Sequence, residues 1–216
     1  MWAKAKCVLT TTWNNIKNFI STTIGKINWV TKKTLTPEEF DEIRKLLVDN
    51  YYIIASRHDG HLSTYAIEIA HCVLTGKRGY YGHVFMNLED TVESDDSYRF
   101  IEATGTGVHY SGFSTVFDNQ TSSVALLKPK YMPLSDWTAV LDASKTYLGR
   151  PYDTLFNLAD DNALSCVELI RDALKGDPDY LTNFANFEAM ISADGNLDPQ
   201  MFLECPDFEV VWEKRH

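Results

Sequence analysis

The sequence predicts an α+β protein in which a small antiparallel sheet packs against helices, preceded by a helical N-terminal arm. Three observations predict it. A capped amphipathic helix opens the body, short β-branched and aromatic segments separated by acidic or Gly-containing turns fill the middle, and helical periodicity returns after residue 133. With 216 residues, 44% of them hydrophobic and 12% aromatic, the chain has enough apolar surface for one core. That composition excludes collagen-like, low-complexity and wholly disordered classes.

The arm, residues 1–36, carries Lys4, Lys6, Lys17, Lys26, Lys32 and Lys33 and no acidic residue, and Trp13, Ile16, Ile20, Ile24 and Ile27 recur at helical spacing. It reads as a basic amphipathic segment distinct from a domain over residues 37–216. Three uses stay open for it: packing on its own body, docking to a partner protein, or lying on an anionic membrane surface. Asn14, Asn15, Lys17 and Asn18 interrupt the apolar stretch near the start, so neither a transmembrane segment nor a secretory signal peptide is expected. A cytoplasmic or virion-associated protein is the corresponding expectation.

Within the body, Thr36-Pro37-Glu38-Glu39 combines an N-cap, a proline at the first helical position and a capping-box glutamate, which starts a helix over residues 37–48. Phe40, Ile43, Leu46 and Leu47 form its apolar face. The run over 51–55 reads as a strand, and residues 62–74 as a helix stopped by Gly76. Strands are expected over 80–88, 98–103, 108–110 and 123–127. Helices follow over 133–148 and 163–174, shorter helical pieces near 186–191 and 199–203, and a last strand over 208–212.

Charge narrows the function. The chain has 20 basic and 30 acidic residues, and with the arm set aside the body holds 14 basic and 30 acidic ones. A general nucleic-acid binder needs a basic face to displace counterions, so no nucleic-acid partner is expected. Cys7, Cys72, Cys166 and Cys205 lie far apart, matching neither a disulfide framework nor a paired-ligand zinc site, which points to free thiols.

Cys166 stands where chemistry is favoured. It leads into the periodic run Val167, Leu169, Ile170, Ala173 and Leu174, which puts it in the first turn of a helix. Unpaired N–H groups and the macrodipole at such an end stabilise a thiolate and can hold the oxyanion formed on attack at a carbonyl. A cysteine nucleophile needs a base and a group that orients it. His83, in the expected strand after Gly82, and Glu102, an acid interrupting an apolar strand pattern, can share one sheet face within hydrogen-bonding reach. The small Gly82 leaves space beside the ring.

Gly82-His83-Val84, Phe100-Ile101-Glu102-Ala103-Thr104-Gly105, Leu148-Gly149-Arg150-Pro151-Tyr152-Asp153 with Phe156, and Cys166-Val167-Glu168-Leu169 occur in order. This series resembles the circularly permuted NlpC-type papain-like proteins of the YiiX kind, in which His, polar residue and Cys follow one another in that order. The segments 196–200 and 205–208 are similar to the family's closing segment, and the resemblance covers residues 51–212. It implies a permuted papain-like fold and a thiol hydrolase or acyl transferase without metal or organic cofactor: Cys166 the nucleophile, His83 the base, Glu102 its orienter, and Tyr152 supporting the oxyanion or substrate. Substrates implied are peptidoglycan stem peptides, other peptides, or acyl amides and esters. Delivery to peptidoglycan would proceed by incorporation in a phage particle, injection or release after lysis. Glu168 matches a recurrent acid for which a structural or gating role is expected. Ser165 and Val167 depart from the family pattern, and the β-branched Val167 narrows the surroundings of the thiol. The alternative is a virion or assembly protein that keeps the fold and docks through its arm.

Other polar groups read as structural. His58-Asp59-Gly60-His61 is a polar turn rather than a metal site, and His71 is core or helix surface. His109 could line the same cleft as Glu102. Asp194, Asn196 and Asp198 have calcium-loop spacing without the required glycine. Asn119-Gln120-Thr121 is a sequon without a secretory signal.

Overall fold

The computed structural model describes residues 33–59, 62–77, 79–88, 99–154, 158, 162–194 and 197–216. The arm over 1–32 lies outside the described residues, as do Gly60, His61, Phe156 and Asn196. In chain order the elements are α1 (Pro37–Leu47), β1 (Ile53–His58), α2 (Leu62–Thr75), β2 (His83–Asn87), β3 (Phe100–Thr104), β4 (Gly107–Ser111), α3 (Phe113–Val116) and β5 (Thr121–Pro129). A 3₁₀ turn (Leu134–Asp136) then leads into α4 (Trp137–Lys145), α5 (Cys166–Leu174), α6 (Tyr180–Asn183), α7 (Ala185–Asp194), α8 (Pro199–Glu204) and β6 (Phe208–Arg215).

The fold is α+β, and its sheet is larger than the middle cluster alone. Six strands run in the order β4-β3-β2-β1-β5-β6, every neighbouring pair antiparallel. The early run and the last strand therefore belong to the same sheet as the cluster, with β1 inside it. Side chains alternate between two cores. Ile53, Ala55, Val84, Met86, Ile101, Ala103, Ala125 and Leu127 face one layer, with α4, α5, α7 and α8. Ile54, Phe85, Phe100, Val124 and Leu126 face the other, with Ile43 and Leu47 of α1 and the rings of Phe113 and Phe117. Burial on both faces explains why the run over 51–55 is apolar at successive positions rather than at alternate ones.

The ends of the elements follow local chemistry. Thr36 caps α1 in a capping box with Glu39, and just before it Leu35 is buried, its N–H donating to the Thr121 carbonyl. The helix expected from residue 163 starts at Cys166, because the Ser165 side chain caps it there. At Gly82 a Cβ would stand 2.7 Å from Thr64 Cα, so its smallness lets α2 approach the strand. Among the described residues no helix is long and apolar enough to cross a membrane.

Candidate active site

Cys166 is the first residue of α5 and is buried. The start of that helix is fixed reciprocally: the Ser165 N–H donates to Glu168 Oε2 at 2.8 Å, and the Glu168 N–H donates to Ser165 Oγ at 3.4 Å. Two of the first turn's N–H groups are thereby occupied. Glu168 is buried, which pushes its carboxyl above the ordinary value against the bonds from Ser165 that favour the anion. Its place in the cap accounts for a structural role. Val167 packs into the helix-side core with Leu169 and Ile170.

His83 opens β2. Extending the β2–β3 register, in which Met86 lies opposite Ile101 and Asn87 opposite Phe100, puts Glu102 diagonally across from His83 on the same face. The His83 Nε2–H donates to Glu102 Oε2 at 2.7 Å, and the ring stacks on Phe85 with centroids 5.5 Å apart. Cys166 is near enough to the ring for its charge to act on it. Burial disfavours the imidazolium, but the hydrogen bonds to Cys166 and Glu102 and their charges outweigh it and push His83 up to about 10. Burial acts against the Glu102 carboxylate too, yet His83, the Ser111 hydroxyl and His109 hold it down at about 2.

The other oxygen of Glu102, Oε1, accepts a hydrogen bond from Ser111 Oγ and lies 3.5 Å from His109 Nε2. His109 is directly opposite Glu102 in the β3–β4 register, so it joins the cluster through the carboxylate.

Tyr152 is brought in by an irregular segment laced to the edge strand. The Gly149 N–H donates to the Val108 carbonyl and the Val108 N–H to the Arg150 carbonyl, both at 2.9 Å, while Leu164 N–H donates to the Pro151 carbonyl at 3.0 Å. Gly107 makes that lacing feasible, with φ of +99° and space for no Cβ, which would stand 2.5 Å from the Arg150 oxygen. Tyr152 lies near Cys166; burial first, then its interaction with Cys166, raise the phenol above its ordinary value.

The structure thus brings Cys166, His83, Glu102 and Tyr152 together. Sequence reasoning missed Ser111, and the one signal for it was strand parity: residues 109 and 111 share a face, and 109 pairs with Glu102. The remaining candidates separate from this cluster. His58 Nδ1 meets Asp118 Oδ1 at 3.1 Å, and Asp59 is paired with Arg57 at 3.0 Å. His71 is buried against Asp198, which caps α8. Among the described residues no three His, Cys, Asp or Glu side chains are grouped to hold a metal ion.

Comparison with family models finds no match, and comparison with curated proteins finds none. Among solved structures, the fold is similar to that described as metalloprotein yiiX from Escherichia coli O157:H7, DUF1105, with a TM-score of 0.55 and 16% identity, covering 79% of this chain and 99% of that one. The likeness is one of fold, and it supports the YiiX-like architecture expected from the motifs.

Proposed function

We propose that this chain is a cysteine-dependent hydrolase of the circularly permuted NlpC-type papain-like class, with Cys166 as nucleophile, His83 as proton carrier and Glu102 as its orienter. One observation carries the reading: His83 is hydrogen-bonded to the Glu102 carboxylate and lies near enough to Cys166 to feel its charge, and that thiol opens a helix. Proton transfer from sulfur to His83 leaves a thiolate beside an imidazolium, which Glu102 keeps aligned. The thiolate adds to an amide or ester carbonyl. N–H groups at the start of α5 and the Tyr152 hydroxyl are the donors for the oxyanion. Collapse breaks the bond to the leaving amine or alcohol, which takes the proton from His83, and a thioester remains on Cys166. Water, deprotonated by His83, then adds to the thioester and releases the acid and the free thiol.

Peptidoglycan stem peptides and acyl amides or esters are the substrate classes of this reading. The similar yiiX structure is described as a metalloprotein; no donor set of this chain's described residues fits a metal ion, and no step above runs through one.

The test is the rate of iodoacetamide alkylation of each cysteine against pH, read by mass spectrometry in the wild type and in His83→Ala. At about pH 6, Cys166 is expected to react faster than Cys7, Cys72 and Cys205, and His83→Ala to remove the advantage. Equal rates in a folded protein would sink the reading and leave docking through residues 1–36 as the function to pursue.

A further inference from the structure

We propose that Ser111 is a positioning residue of this site, its hydroxyl on Oε1 of Glu102 locking the carboxylate plane so that Oε2 stays on His83. The inference rests on the hydrolase reading and extends it to a residue that touches neither substrate nor thiol. A glutamate has three rotatable bonds, and a single donor on one oxygen leaves the carboxylate free to turn about the last of them. A second donor on the other oxygen removes that freedom.

The surroundings make Ser111 that donor. It is buried, at 3% exposure, on the edge strand β4, and its carbonyl is pinned by the Arg99 N–H at 3.1 Å. His109 is a poorer candidate for Oε1. Its side chain is 36% exposed, its Nε2 is 3.5 Å away, and its Nδ1 is used on the Gly107 carbonyl at 2.9 Å. The charged or titratable groups facing Glu102 are His83 from β2 and His109 from β4, and behind His83 stand Cys166 from α5 and Tyr152. Without the hydroxyl, Glu102 takes a proton more readily and swings, so the imidazolium loses its counter-charge and the thiolate pair exists over a narrower pH range.

Ser111→Thr and Ser111→Val share one shape and differ in the hydroxyl, so they separate hydrogen bonding from packing. The pH profile of Cys166 alkylation is measured in the wild type, both variants, His83→Ala, Glu102→Gln and the Ser111→Val/Glu102→Gln double variant, with a thermal melt of each. Thr is expected to keep the wild-type profile, and Val to move the acid limb up by about one pH unit, the size of one charge-assisted hydrogen bond. In the Glu102→Gln background Val should add nothing. Should either branched variant fail to fold, Ser111→Ala against the wild type replaces the pair. An unmoved limb in Ser111→Val with a His83-dependent wild type overturns this proposal alone, as does an equal shift in the Glu102→Gln background. A wild-type rate that His83→Ala leaves unchanged overturns the hydrolase reading, and this proposal with it.

Discussion

His83 and His71 each hold a carboxylate, Glu102 at 2.7 Å and Asp198 at 2.9 Å, but what lies beyond each ring is different. The side chain of His83 is 20% exposed and has Cys166 near it. That of His71 is 1% exposed, and its Nε2 stands 3.6 Å from Glu204, which Lys77 holds at 2.8 Å. The carboxylates differ as well. Asp198 Oδ1 accepts the N–H groups of Gln200 and Met201, so that pair staples α2 to the start of α8. Glu102 spends its second oxygen on Ser111, inside the same cluster. A histidine–carboxylate pair orients a ring; the group at the ring's other nitrogen, and its access to solvent, decide whether the result is chemistry or cohesion.

Exchanging the damage between the pairs is the sharpest way to break this contrast. Once a substrate is found, His83→Ala is expected to lower its turnover by roughly 10²–10⁴-fold, while His71→Ala leaves turnover per folded molecule unchanged. Equal losses in both would end the distinction. Next in size, Asp198→Ala strands a buried histidine and uncaps α8, so urea denaturation should show a loss of about 3 kcal/mol with no change in Cys166 reactivity.

The pH dependence of stability sharpens the comparison further. His83 is raised from 6.5 to about 10, so its contribution is complete below 6.5 and is lost as pH rises through 10. Glu102 is lowered from 4.5 to about 2, so its contribution is complete above 4.5 and is lost as pH falls through 2. The stability difference between wild type and His83→Ala should therefore be largest from pH 4.5 to 6.5 and fade on both sides. Each tenfold change in proton affinity on folding carries about 1.4 kcal/mol, so a difference that stays flat from pH 3 to 10 would show that the pair is uncoupled from folding. The smallest effect is expected from Ser165→Ala, about 1 kcal/mol of stability by chemical denaturation together with a severalfold slower alkylation of Cys166.

Legibility followed the range of the interactions. The start of α1 could be read to the residue, because Thr36, Pro37 and Glu39 settle it among themselves. The start of α5 was read three residues early, since Ala163 and Leu164 fit the helical period but Ser165 ends it with its own side chain. The short helices α3 and α6, four residues each, carry too little periodicity to register. That β1 lies inside the sheet, paired at once with β2 and with β5, is a long-range fact: Ile53 meets Met86 and Leu127. At the candidate site, Cys166, His83, Glu102 and Tyr152 stood out by residue type and motif. Ser111 did not, because a serine in a strand is ordinary until register sets it beside a carboxylate.

The separation of the cluster along the chain has a consequence for synthesis. His83 and Glu102 belong to strands made well before Cys166, and β6 must still arrive to cover β5. A ribosome therefore delivers Cys166 last among the three, and the thiol meets the other two only once α5 is in place against β2 and β3. A nascent chain halted before α5 carries the histidine and its carboxylate without the thiol, so the cluster is complete only when the C-terminal part of the chain has been made.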